Sequence, residues 1–334
     1  LFINRNTRPM LHSQNLQNSA SKPLVSFIIT TCNTDARQLR ACVESVLKLS
    51  LSHNDRELIV IDDGSREPAI NVLLDFCDEL IYVRQPNQRL SMARNRGISM
   101  AQGKYLQFVD GDDYLLQSTY EHCLDLVRYH QPDLVLFQLS TSPKVPLADD
   151  YEGPCTGVEY MQTHNLRGTA CGYLFSKHLL HGLRFTTMRH YAEDEEFTAQ
   201  LILQSKHLFS TSAKAYFYRQ HATSALHQKQ PKNKLLRLQD TEEVILALLE
   251  KKKTLTLSEQ KALERRILQL TMDYLYLTAR LTHSYERLTD ACERMRKYGL
   301  FPLPNKHYTK KYSLFRNLIN YSWGRKVILA TMLK

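Results

Sequence analysis

Four short runs rich in β-branched and aromatic residues dominate the first third of the chain: PLVSFIIT (23–30), RELIVIDDGS (56–65), LIYVRQ (80–85) and KYLQFVD (104–110). Between them lie stretches with helical character. DARQLRACVESVLKLS (35–50) places Leu39, Val43, Val46 and Leu47 on one face. AINVLLDFCD (69–78) and SMARNRGISMAQG (91–103) read as two more helices, the second stopping at Gly103. Few folds admit this alternation. Strand, crossover helix and strand make a βαβ unit, and repeated units build a mostly parallel sheet with helices on both faces. Ligands of such sheets bind outside the carboxyl ends of the strands.

Two of the strand ends are crowded with acid. LIVIDDGS delivers Asp62 and Asp63, and LQFVDGDD delivers Asp110, Asp112 and Asp113. Carboxylates this close repel one another, and each is costly to desolvate. A hard divalent cation with oxygen ligands, Mg²⁺ or Mn²⁺, would compensate them. The plainer alternative is a turn built on Asp62, Asp63 and Gly64, with Asp112 or Asp113 capping the next helix.

Downstream, residues 118–130 read as a helix, 133–139 as a strand and 140–157 as a polar loop. Residues 169–185 read as a strand followed by a short helix. RHYAEDEEFTAQLILQS (189–205) starts a helix with a cluster of acids, and 213–226 is aromatic and strand-like. From residue 232 the pattern turns helical, most clearly over 263–281. The expected organisation is a polar, flexible lead (1–22), an α/β domain (23–228) and a helical region (229–334).

The 334 residues are 43% hydrophobic and 23% charged, as in soluble globular proteins. The seven cysteines form no CxxC pair, which favours a reducing compartment over a disulfide framework or a zinc site. No secretory leader and no run of about 18 apolar residues is expected to take the chain into or across a membrane, so a cytoplasmic location is expected. The net charge of +10 is uneven: from Lys229 onward, 22 Lys and Arg face 10 Asp and Glu. Such a surplus suggests an anionic partner. LFRNLINYSWGRKVILATMLK (314–334) mixes apolar residues with Arg316, Arg325 and Lys326. It could lie on the inner face of the cytoplasmic membrane, or pack on the chain's own core or a second subunit.

Five motifs in order, VSFIITTCN (25–33), VIDDGS (60–65), ARNRGI (93–98), FVDGDD (108–113) and AEDEEF (192–197), resemble those of the family 2 glycosyltransferases. The resemblance covers residues 23–225 and implies a GT-A fold: a Rossmann-like, mostly parallel sheet with helices on both faces. It leaves the helical C-terminal region unread. It implies an inverting, metal-dependent transferase with Mn²⁺ or Mg²⁺ as cofactor. The implied partners are a nucleotide-sugar donor, with UDP favoured, and a saccharide or lipid-linked saccharide acceptor, in the synthesis of surface polysaccharide. Carried over by position, Thr30, Thr31 and Asn33 would line the nucleotide pocket and Asp63 would contact the base. Arg94 would lie near the nucleotide and its phosphates, and Asp110 on the ribose side. Asp112 would bind the metal, with His221 as a further candidate ligand, and Asp113 would support the loop. Asp194 would be the catalytic base, with Glu193 beside it. The chain departs from the pattern at Cys32, where Tyr is common, and at Tyr173, where Lys is frequent.

Rival functions fare worse. A sugar nucleotidyltransferase needs a Gly-rich basic loop after the first strand, and TTCNTDARQ has no glycine. A dehydrogenase would show GxGxxG there. A nucleic-acid binder would explain the basic charge but not the acids. An inactive sugar-nucleotide-binding partner would not need both Asp112 and Asp194.

Overall fold

The computed structural model describes residues 22–220 and 230–332. Nearly all of the expected flexible lead lies outside them. Nine strands form one sheet: β1 Val25–Thr31, β2 Arg56–Asp63, β3 Ile81–Gln85, β4 Tyr105–Asp110, β5 Tyr114–Leu115, β6 Leu134–Ser140, β7 Glu152–Cys155, β8 Tyr173–Ser176 and β9 Leu208–Phe217. The helices of the same region are α1 Ala36–Leu47, α2 Ile70–Leu73, α3 Arg89–Met100, α4 Gln117–His130, α5 Gly157–Thr163 and α6 Glu193–Gln204. Five more follow: α7 Pro231–Lys252, α8 Leu257–Thr282, α9 Tyr285–Lys297, α10 Lys310–Ile319 and α11 Ser322–Met332.

The strand order is β3-β2-β1-β4-β8-β6-β9-β5, with β7 on β9. The first four strands are parallel, as the βαβ pattern requires. Beyond β4 the sheet is mixed: β8 runs antiparallel to both β4 and β6, while β9 is parallel to β6. The expectation of a mostly parallel sheet thus holds for one half only. The short crossovers that force parallel pairing stop at β4, and the later connections let strands return in either direction.

β1 is buried along its whole length, which explains its continuous apolar run. Asp35 caps α1, accepting the N–H groups of Arg37 (3.0 Å) and Gln38 (3.3 Å), a contribution of about 1 kcal/mol. Helix α3 lies directly on β1 because residue 97 is glycine: a Cβ there would stand 2.2 Å from Ile28 Cγ2. Glycine costs helix stability, but here it permits the approach that fixes α3, and Arg94 with it.

Three local readings need correction. The aromatic strand starts at Leu208 and ends at Phe217, earlier than 213–226. The loop over 140–157 contains β7. The described part of 314–334 is two helices, not one: α10 ends at Ile319 and α11 starts at Ser322. There Asn320 turns back to Leu303, accepting its N–H (2.9 Å) and donating to its carbonyl (3.0 Å). Among the described residues no helix is long and apolar enough to cross a membrane.

Candidate active site

Parallel register brings the strand ends into line. Thr31 of β1 pairs with Asp62 of β2, and Thr30 with Asp110 of β4. Asp63 of β2 pairs with Gln85 of β3. The acids of the two motifs therefore flank β1 at its carboxyl end, where a ligand of this sheet would sit.

On the β2 side the acids are organised by hydrogen bonds. Asp62 is fully buried and shapes the turn, accepting Ser65 N–H (2.9 Å), Ala69 N–H (3.0 Å) and Tyr82 O–H (2.6 Å). Burial alone would raise its pKa, but these donors outweigh it and hold the carboxyl below its usual range. Asp63 accepts Gln85 Nε2 (2.8 Å) and Gln88 N–H (2.9 Å). Gly64 takes a φ of +74°, and a Cβ would meet Asn87 N at 2.5 Å. Asn33 ties β1 to this turn: its N–H donates to Ser65 Oγ (2.9 Å) and its Oδ1 accepts Arg66 N–H (2.9 Å). Thr31 Oγ1 donates to Thr34 (2.9 Å), and the Thr30 carbonyl accepts Gly111 N–H (2.9 Å).

The β4 side is a charge cluster around one arginine. Arg94 is 2% exposed. Its Nη1 pairs with Asp194 and lies 3.7 Å from Glu193, and its Nη2 donates to Asp110 (3.1 Å). Cys171 Sγ donates to Asp110 Oδ2 (3.4 Å), and Phe185 lies against the guanidinium at 5.3 Å. Burial works against the charge on Arg94, but Asp194 and Asp110 hold it firmly cationic. The acids on the same cluster are more accessible than the arginine beneath them: the Asp110 side chain is 30% exposed. Arg94 thus lies under the site, with its charge spent on carboxylates.

Asp194 and Glu193 open α6. Four acids fill its first turn, Glu193 to Glu196, where the helix dipole favours them. They face in different directions. Glu193 and Asp194 meet Arg94, while Glu195 pairs with Arg266 of α8 and Glu196 with Arg189. Asp194 also accepts Ala170 N–H (3.1 Å). Burial, with Asp194 alongside, pushes Glu193 up to about 7. Burial raises Asp194 as well, opposed by Arg94 and the Ala170 N–H.

Asp112 and Asp113 cap no helix: the residue before α4 is Leu116, with no side-chain cap. Asp113 instead accepts Tyr216 O–H (2.9 Å) and Arg219 N–H (2.7 Å), and Arg219 Nε donates to the Asp112 carbonyl (2.9 Å). Tyr216 in turn accepts Asp110 N–H (3.0 Å), so one phenol joins Asp110 to Asp113. Burial and the charges of Asp110 and Asp112 push Asp113 up to about 8. Carboxylate oxygens crowded in this way suit a hard divalent cation. Among the described residues no three metal-ligating side chains converge. One or two carboxylates and the phosphates of a ligand would have to hold the ion, which is the usual arrangement for Mg²⁺. His221 lies outside the described residues.

The sequence reading missed Cys171, Tyr216 and Arg219. Each acts through a neighbour, and none stands in the acid motifs. The one signal was position: Arg219 follows an aromatic strand end in YFYRQ.

Comparison with known proteins agrees with this geometry. Residues 26–151 match the family model described as Glycosyl transferase family 2. EpsJ of Bacillus subtilis, an uncharacterized glycosyltransferase, is 26% identical over 218 residues, covering 60% of this chain and 62% of EpsJ. TarP of Staphylococcus aureus, a poly(ribitol-phosphate) beta-N-acetylglucosaminyltransferase, is 26% identical over 191 residues, covering 54% of this chain and 58% of TarP. The chain thus spans less than two thirds of either relative. S. aureus TarS superposes with a TM-score of 0.63 at 17% identity, over 91% of this chain and 53% of that one. TarS residues 1–349 have been solved with UDP-GlcNAc, and that structure matches at a TM-score of 0.52 and 18% identity, over 83% of this chain and 89% of that one. The fold is GT-A, and residues 26–151 carry the pattern of glycosyl transferase family 2.

Proposed function

We propose that the chain is an inverting glycosyltransferase. It moves a sugar from a nucleoside-diphosphate donor, with UDP favoured, to a hydroxyl of a saccharide or lipid-linked saccharide during bacterial surface polysaccharide synthesis. The observation that carries this reading is the Glu193–Asp194 pair, raised in pKa and oriented by Arg94 next to Asp110, at the carboxyl ends of the parallel strands. The UDP-GlcNAc complex of TarS and the transferase activity named for TarP support the donor class.

The nucleotide lies along β1, with Asp63 facing the base and Thr30, Thr31 and Asn33 lining its pocket. Asp110 faces the ribose and Asp112 the diphosphate. Asp112, with Asp110 near it, would hold a divalent cation, Mn²⁺ or Mg²⁺, whose charge would neutralise the leaving diphosphate. Arg94 reaches the phosphates only through the acids it holds. Asp194 takes the acceptor hydroxyl's proton as that oxygen bonds to the anomeric carbon. The carbon–oxygen bond to the diphosphate breaks on the opposite face, and the anomeric centre inverts. Burial raises the Asp194 carboxyl, which makes it a stronger proton acceptor than an exposed aspartate. Glu193 orients Asp194 and shares its charge environment.

The seven cysteines are all unbridged, in keeping with a cytoplasmic location. Trp323 (59% exposed), Tyr321 and Val327 stand out from the last turn and α11 beside Lys326, a face suited to peripheral contact with anionic lipid. The experiment that tests the function is a panel of nucleotide sugars, assayed for divalent-dependent binding and slow hydrolysis. Binding of one donor, with release of its nucleoside diphosphate, is expected; binding of none would sink the reading.

A further inference from the structure

Helices α7 and α8 pack antiparallel in a register fixed by two side-chain pairs. Lys252 Nζ donates to Glu264 (2.6 Å), and Tyr274 O–H donates to Glu242 (2.7 Å). Ten residues back along α7 are matched by ten forward along α8. Five further residues on each helix bring Arg237 opposite Ala279, with Arg280 next to it. The register brings the two arginines to the same level of the helix pair, within electrostatic reach of one another. Arg237 is half-buried and Arg280 exposed. Burial and the nearby Arg280 charge lower the pKa of Arg237, and Tyr191 lies within the same electrostatic reach.

Like charges placed together need a counter-charge, and the neighbouring acids do not supply one. Asp240, one turn along α7 from Arg237, accepts the N–H groups of His190 (2.8 Å) and Tyr191 (2.9 Å). Glu242 is bonded to Arg294 and Tyr274, and Glu243 lies 3.7 Å from Arg189. Among the described residues neither Arg237 nor Arg280 has a carboxylate partner. The location is informative: Asp240 ties α7, one turn from Arg237, to His190 and Tyr191, the residues that lead into α6.

We propose that Arg237 and Arg280 form an anion subsite that holds a phosphate group of the acceptor beside the catalytic helix. Two guanidiniums suit a phosphate ester, which accepts from several N–H donors at once. Two sources carry that chemistry: a phosphodiester along an acceptor polymer, or the diphosphate of a lipid-linked saccharide. The proposal rests on the transferase reading above and adds a feature of its acceptor.

The test measures binding to the full chain without turnover. The probes are poly(ribitol phosphate), a polyprenyl-diphosphate-linked N-acetylglucosamine in detergent, and free UDP. The wild type is expected to bind one of the two phosphate-bearing acceptors, and which one it binds identifies the source. Arg237→Gln and Arg280→Gln are each expected to weaken that binding about tenfold or more, the worth of one charge-assisted hydrogen bond. Affinity for UDP is expected to stay unchanged and reports separately on the transferase reading. Arg237→Lys, which keeps the charge, is expected to bind better than Arg237→Gln, and matching urea midpoints confirm that the variants are folded. The proposal is overturned if the wild type binds neither acceptor, if the glutamine variants bind as tightly as wild type, or if the lysine and glutamine variants lose affinity equally.

Discussion

Replacing Arg94 with methionine removes a cation that serves Asp110, Glu193 and Asp194 together. Methionine keeps much of the volume against Phe108 and Phe185, so the change is chiefly one of charge. Removing one partner of a buried ion pair costs about 3–5 kcal/mol, because the remaining charge is left in a poorly solvating interior. The loss has a pH signature. Glu193 already titrates near 7, above an ordinary glutamate, so the folded state of the wild type binds a proton that the unfolded chain releases between about 4.5 and 7. The stability tied to that proton is fully present below about 4.5 and fades as pH rises through 7. Without Arg94 the carboxyls rise further, and the folded variant holds still more protons than its unfolded form. The gap between variant and wild type should therefore be large at pH 8 and shrink towards pH 5. Urea unfolding at both values measures it. A variant as stable as wild type at pH 8, or a gap of the same size at both pH values, would refute the view that Arg94 exists to hold these acids as anions.

Asp194→Asn should lower transfer by on the order of 10²–10⁴-fold while donor affinity holds; product formation beside a nucleotide-binding control checks it, and joint loss of both would move Asp194 into the donor site. Glu193→Gln should fall between that variant and wild type in the same assay. Asp112→Ala should abolish the divalent-dependent part of nucleotide binding in calorimetry, and an affinity indifferent to chelator in both proteins would remove Asp112 from that role. Full-length protein should float with anionic vesicles more than with neutral ones, and a 1–313 truncation should lose the difference; equal flotation of both proteins would count against the α11 face.

The half of the fold that the sequence revealed is the half built by local rules. β1, β2 and β4 are built on buried apolar runs with helices between successive strands, and each leads into a motif whose chemistry is visible residue by residue. The register that sets Asp110 beside Thr30 follows from parallel pairing alone. The second half depends on contacts between distant residues. Nothing in GYLFSK says that it pairs antiparallel with both β4 and β6, and β7 shows no alternation because it contains Gly153 and Pro154. At the site, the acids were legible because carboxylates in clusters are rare and costly. Their supports were not. The resemblance sets Arg94 near the phosphates, and only the structure shows it buried beneath the acids, where the glycine at 97 brings α3 down onto Ile28. Tyr216 is one aromatic residue among several in its strand, and only three-dimensional structure shows its phenol between Asp110 and Asp113.

The first turn of α6 divides its four acids between two neighbourhoods, and this constrains how such a chain can be recombined. Glu193 and Asp194 belong to the α/β sheet, but Glu195 is joined to Arg266, a residue 71 positions away on α8. A chimera that exchanged the helical region for that of a similar protein would keep every motif acid and still strand Glu195, unless the graft supplied a cation at the place of Arg266. The misfit would sit one residue from Asp194. Donor-side chemistry and the helical region are thus not freely interchangeable parts: a successful swap has to carry its own arginine.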